Sequence, residues 1–244
     1  MTRISGFARR VLAVAQGKFA PLALAALLAG SLWAFVGIAH EVLEGETRAL
    51  DEAILLALRA QGDPSDPIGP LWVEELGRDV TALGSVAILT FITLASAIFL
   101  FLCRRYRTAL FVLVAIASGI ALSFALKAGF DRPRPDLVPH GANVYTSSFP
   151  SGHSMMSALV YLTLAALLAR MQPRKRVKVY MLLLAVLATT AIGASRVYLG
   201  VHWPTDVLAG WAAGTTWAVF CWMLAIWLQR RREIEASADA SIVR

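Results

Sequence analysis

Residues 108–130 read TALFVLVAIASGIALSFALKAGF, and residues 131–135, which follow at once, read DRPRP. The first stretch is unbroken apolar sequence with one charge, Lys127, near its end. It does not alternate as a half-buried strand would, and it is too long for a buried one. A bilayer core of about 30 Å needs about 20 such residues in helical form. Backbone groups in lipid have no water to bond, so a lone apolar run of this length is a helix. The second stretch breaks that helix twice, because each proline restricts the residue before it. A membrane helix therefore delivers two arginines and a lysine to one surface.

The same reading extends over the chain. Its 244 residues are 58% hydrophobic, with a mean hydropathy of +0.64. Soluble domains lie nearer 45–50% apolar. Six segments have the length of a span: 19–39, 83–102, 108–130, 153–171, 179–198 and 207–228. The first follows basic residues as a secretory signal would, but exceeds the roughly 7–15 apolar residues of one. It is taken as a retained helix. The fold expected is an all-α polytopic bundle of six transmembrane helices over residues 19–228. Tails at 1–18 and 229–244 flank it, the latter expected to be disordered beyond Arg232. Cys103 and Cys221 lie at or within apolar segments and are expected to be packing residues rather than a disulfide.

Charge orients the bundle. Of 23 Lys and Arg, 16 lie in the amino-terminal tail, the 103–107 link, the 170–178 link and the carboxyl-terminal tail. Short cytoplasmic loops carry such an excess. Both termini are therefore expected inside a bacterial inner (cytoplasmic) membrane. The largest outer part, 40–82, holds Leu50, Ile54, Leu55 and Leu58 on one helical face. This predicts a short amphipathic periplasmic helix, packed on the bundle or lining a lateral entrance for lipid. Gly62 to Pro67 is turn-rich, and Trp72 suits an interfacial anchor.

That topology brings scattered polar residues to one face. Lys127 ends the third span and Arg134 follows it. Ser151, Gly152 and His153 begin the fourth, Ser195 and Arg196 end the fifth, and His202 and Asp206 begin the sixth. Each has a plainer explanation. Lys127 and Arg196 could snorkel to the interface. Ser151 could cap a helix, although a capped start with a following glycine is also an anion site. Asp131 and Arg132 fit structural or surface roles, and His40 and His140 fit interfacial or loop positions. Two histidines and an acid also suit a metal, but three neighbouring cations would repel one. Together the residues can hold a phosphate, attack it from an imidazole oriented by Asp206, and protonate what leaves.

The three-part pattern, Lys127 with Arg134-Pro135, then Pro150-Ser151-Gly152-His153, then Ser195-Arg196 with His202 and Asp206, resembles the signature of the type 2 phosphatidic acid phosphatase superfamily. The resemblance implies a metal-independent membrane phosphatase without cofactor. His202 would be the nucleophile, Asp206 its orienting acid and His153 the general acid. Lys127, Arg134, Ser151, Gly152, Ser195 and Arg196 would bind phosphate. The implied partners are a lipid phosphate substrate and membrane lipids, with no nucleic acid. Undecaprenyl pyrophosphate, phosphatidate, phosphatidylglycerophosphate and a lipid A phosphate are the candidate substrates. A phosphotransferase using the same site and a membrane transporter are the alternatives. The spans carry almost no charge between their ends, which disfavours a transport pathway.

Overall fold

The computed structural model describes residues 6–136 and 147–242, with side chains over 21–136 and 147–229. His140 lies outside the described residues. The elements run α1 (Gly6–Glu44), α2 (Arg48–Ala57), β1 (Arg59–Ala60), β2 (Asp63–Pro67), α3 (Leu71–Ala82), α4 (Val86–Leu102), α5 (Tyr106–Gly129), α6 (Gly152–Met171), α7 (Lys175–Tyr198) and α8 (Pro204–Ile242). Five helices are long and apolar enough to cross a bilayer: α1 from Pro21, α5, α6, α7 and α8 to Gln229. α3 and α4, bent by 45° at a short break, make a sixth when taken as one span. α4 alone has 17 residues, about 26 Å at 1.5 Å per residue, which is short of the hydrocarbon thickness.

The bundle is built around α6, the most buried of the spans. It packs against α7 on one side and α8 on another, with α5 and α4 beyond. Small residues let α8 approach. A β-carbon on Gly210 would stand 2.7 Å from the Ser151 carbonyl oxygen, and one on Gly214 would collide with the Met155 carbonyl. Glycines four apart on one helix face permit such contact in lipid, where helices gain from close packing rather than from hydrophobic exclusion. α1 lies along α8 and is the least buried span. Leu89, Val112, Ile116 and Val160 form one core between α4, α5 and α6. Phe149 anchors a second under α1 and α8, with Ala39 and Ala209 buried and Phe35 and Phe130 against them. Trp33, Phe91, Leu102 and Phe124 face outward, as a lipid-solvated surface allows.

The part between α1 and α4 differs from expectation. α2 forms, but its inward stripe is Asp51 and Leu55, both fully buried, with Leu58 packed alongside. Leu50 and Ile54 are exposed. The stripe is rotated because Asp51 finds buried partners on other elements. The turn-rich stretch at 62–67 forms an antiparallel pair with β1, turning at Gly62 with φ +88°. α3 was not foreseen at all. It carries Glu74, Glu75, Arg78 and Asp79, and a short helix with so many charges gives no membrane signal. Trp72 on it is exposed. Two further corrections concern the ends. The helix α8 continues to Ile242 through the stretch expected to be disordered. Cys221 is buried as a packing residue, but Cys103 is exposed at the end of α4.

Candidate active site

Four helix ends meet at one end of the bundle. α5 and α7 end there, and α6 and α8 begin there. Helix carboxyl ends favour cations and amino ends favour anions. The sequence follows that rule, with Lys127 in the last turn of α5, Arg196 in the last turn of α7 and Asp206 in the first turn of α8. Ser151 caps α6, its hydroxyl oxygen facing the Ser154 N–H at 3.5 Å and accepting from the Ser154 hydroxyl at 3.1 Å. Pro204 opens α8, where its missing N–H costs nothing. The Ser151 N–H donates to the Asp206 carbonyl at 3.0 Å and so joins the two starts.

His202 lies at the centre, 2% exposed. Its Nδ1 is 3.3 Å from Asp206 Oδ2 and 3.3 Å from Ser148 Oγ. Its Nε2 is 3.2 Å from Arg134 Nη1. Asp206 is fully buried. Its Oδ2 also accepts from the Trp203 N–H at 3.0 Å and, by a short bond, from the Ser148 hydroxyl. With that hydroxyl proton directed to Asp206, only the imidazole can donate on the Nδ1 side. The proton therefore sits on Nδ1, and the Nε2 lone pair faces the cations. Burial lowers the His202 pKa to about 4, against the opposing pull of Asp206, and Arg134 and Arg196 lower it further. The ring is thus neutral at physiological pH.

The cations surround that lone pair. Arg134 also donates to the Val201 carbonyl at 3.0 Å, and burial lowers its pKa below the usual arginine value. Lys127 Nζ donates to the Ser147 carbonyl at 2.8 Å. Gly152 stands beside Lys127, since a β-carbon there would be 3.5 Å from Lys127 Cε. Arg196 Nη1 donates to Thr81 Oγ1 at 3.2 Å, and its buried Nε has no partner among the described residues. His153 feels the charges of Arg196, His202, Arg134 and Lys127. It packs under Gly84, where a β-carbon would come 3.3 Å from its Cδ2. Ser195 is buried nearby, but its hydroxyl donates to the Ile192 carbonyl at 2.7 Å. That bond turns it into its own helix.

The residues singled out in the sequence thus converge, with Ser195 turned aside. Sequence reasoning missed four contributors, Thr81, Ser148, Asp51 and Thr205, and did not connect a fifth to the site. Arg132, given a structural or surface role in the sequence, is 13% exposed and bonds Asp206 Oδ1 at 2.7 Å and Asp51 Oδ2 at 2.6 Å. The one available signal was the doubled Arg-Pro of residues 132–135, which places two arginines side by side. A cavity of about 810 Å³ lies between α5, α6 and α8 at their other end, lined by Phe111, Leu167, Trp217 and Trp222. It holds none of the clustered residues.

The sequence model described as PAP2 superfamily matches residues 108–230. The chain belongs to the PAP2 superfamily. Phosphatidylglycerophosphatase B of Bacillus subtilis is 32% identical over 74% of this chain and 85% of its own length. Lipid A 1-phosphatase of Rhizobium etli is 30% identical over 61% of this chain and 71% of its own. Among solved structures, a transmembrane PAP2-type phosphatidylglycerolphosphate phosphatase from Bacillus subtilis matches with a TM-score of 0.67 at 28% identity, covering 83% of this chain and 95% of that one. The protein is thus a multi-pass membrane member of a PAP2 group whose relatives are lipid phosphatases. The PAP2 match begins in α5 and ends in α8, so it includes every residue of the cluster except Asp51 and Thr81.

Proposed function

We propose that the protein hydrolyses a lipid phosphate or diphosphate at the periplasmic face of a bacterial inner membrane, through a phosphohistidine on His202. The observation that carries this reading is the buried imidazole, with Asp206 on Nδ1 and Arg134 on Nε2. A neutral, oriented ring aimed into a group of fixed cations is prepared to attack phosphorus.

Arg134 Nη1 stands against the Nε2 lone pair. An arriving phosphoryl group would draw that guanidinium onto its oxygens, as its planar fork suits, and expose the nitrogen. Nε2 then bonds to phosphorus as the phosphorus–oxygen bond to the lipid breaks. The released electron pair goes to the leaving oxygen, which takes a proton from the His153 imidazolium, a proton that enters with the substrate's phosphate and leaves the ring neutral. Lys127, Arg134 and Arg196 offset charge on the equatorial oxygens. The Ser151 hydroxyl and the first N–H groups of α6 add donors there. In the second half His153 takes a proton from water, the water oxygen bonds to phosphorus, and the phosphorus–nitrogen bond returns its electrons to Nε2. Asp206 supports the imidazolium character that develops in each half. Ser195 joins the phosphate site only by leaving the Ile192 carbonyl, a rotation about one bond.

No metal has a part in this scheme. Among the described residues, no three His, Cys, Asp or Glu side chains gather as a metal site. The substrate candidates are phosphatidylglycerophosphate, undecaprenyl pyrophosphate, phosphatidate and a lipid A phosphate. The first is favoured by the Bacillus subtilis relative, which matches over 74% of this chain and 85% of its own length, against 61% and 71% for the lipid A 1-phosphatase. The test is phosphate release from each by purified protein with a chelator present, beside His202→Ala. Release by the wild type alone, undiminished by chelator, supports the reading. Equal release by His202→Ala would remove the nucleophile, and release restored only by a metal ion would remove the metal-free scheme.

A further inference from the structure

Asp51 belongs to α2, outside the residues matched by the family and far in sequence from the catalytic cluster. It is nevertheless fully buried beneath that cluster. Its Oδ2 accepts from Arg132 Nη2 at 2.6 Å and from the Thr205 hydroxyl at 2.6 Å, and its Oδ1 accepts from the Thr205 N–H at 2.9 Å. Arg132 reaches on with Nη1 to Asp206 Oδ1 at 2.7 Å and to Thr205 Oγ1 at 2.8 Å. Its guanidinium also lies over the Trp203 ring, 5.8 Å from the centroid. Trp203 in turn donates its indole N–H to the Pro133 carbonyl at 3.0 Å.

We infer that Asp51 and Arg132 are positioning residues for the Asp206–His202 pair. The argument is one of occupancy. Asp206 uses Oδ2 for His202, Ser148 and Trp203, so only Oδ1 remains to fix the plane of the carboxylate. Arg132 takes Oδ1, and Asp51 holds Arg132 from the opposite side. Without Asp51 the guanidinium has one buried carboxylate left and turns both nitrogens to it, drawing Oδ2 from the imidazole. Without Arg132 the carboxylate plane is free to rotate, and Asp51 keeps its bonds from Thr205 but loses its cation. Asp51 also holds the first turn of α8 through Thr205, the residue before Asp206. A helix outside the residues matched by the family model thereby helps to set which imidazole nitrogen carries the proton.

The inference rests on the proposed phosphohistidine reading. It is tested with Asp51→Asn, Arg132→Gln and the double variant, in detergent or nanodiscs. Each single change strands a donor or a charge in the interior and lowers Tm. The double change removes both charges together, so Tm recovers toward the wild type. Turnover does not recover, because Asp206 Oδ1 still lacks its anchor. We expect kcat to stay about 10- to 100-fold down, the scale on which loss of a supporting partner acts. KM and inhibition by inorganic phosphate should stay within about threefold, since Lys127, Arg134 and Arg196 are untouched. A merely structural pair predicts that kcat returns with Tm, and that result would overturn the inference. A second readout needs no turnover. The chain has four histidines, and the ring nitrogens of His202, assigned with His202→Gln, report the tautomer by ¹⁵N NMR. The wild type should show Nδ1–H alone and the double variant a mixture. An unchanged tautomer in the double variant would overturn the inference even if the wild type released no phosphate, a failure that would belong to the proposed activity.

Discussion

At the residue scale, the proposed chemistry depends on removing His202 from water while keeping it neutral. Burial disfavours the imidazolium and holds the pKa near 4, whereas Asp206 alone would have raised it. The sign of the pH dependence follows. Protonation would remove the proposed nucleophile, and it occurs only as pH falls through the folded value. At pH 6 about 99% of the rings remain neutral, by the ordinary titration relation. The rate of phosphoenzyme formation, measured by rapid quench under single-turnover conditions, should therefore show no His202 limb between pH 7 and about 5. It should fall about tenfold per unit below about 4. A limb near 6.5 that disappears in no other variant would mean that the ring is solvated, and that the pocket described here is not the one that reacts. Arg134 adds a second requirement at this scale. In the proposed scheme it releases Nε2 before reaction, so Arg134→Lys, which keeps the charge without the fork, should lower kcat more than it raises KM. An effect confined to KM would reduce Arg134 to simple substrate binding.

At the element scale, the site depends on how closely α6 and α8 approach. The Ser151 N–H reaches the Asp206 carbonyl only because Gly210 lets the second turn of α8 lie against the Ser151 carbonyl. Gly210→Leu would force the helices apart at the point where the cap and the carboxylate meet. Overpacking of this kind costs about 1–3 kcal/mol. We expect a lower Tm and a loss of turnover greater than the unfolded fraction explains. Gly30→Leu on α1, where a β-carbon meets nothing within 4 Å, should change neither, and equal effects from both would sink the claim that this crossing matters. The legibility of the fold divides along the same line. The spans could be read because length and apolarity are local properties, and the signature residues could be read because they stand at fixed spacings on helix ends. Arg132 could not be placed, because its two carboxylates lie 81 and 74 residues away in sequence, and no local pattern encodes such a pairing. Asp51 was not singled out, for the same reason. α3 was hidden by its charges, although a bent α3–α4 pair supplies the length that α4 lacks.

At the scale of the whole molecule, every step of the proposed chemistry lies at one end of α5 and an arginine-rich link at the other. Lys127 ends that helix and Arg105 and Arg107 flank its start. Its 24 residues extend about 36 Å at 1.5 Å per residue, enough to separate the two across a bilayer. Orientation is therefore a single binary question, and the chain supplies its own probe. It has two cysteines, of which Cys221 is buried and Cys103 is exposed beside the arginine-rich start of α5. A membrane-impermeant maleimide should leave the protein unlabelled in intact cells with a permeabilised outer membrane. It should label Cys103 in inverted vesicles, with Cys103→Ser as the blank. Labelling from outside would place the Arg104–Arg107 link in the periplasm against the positive-inside bias. It would also turn the His202 cluster toward the cytoplasm, and the substrate would then have to be a lipid phosphate of the inner leaflet.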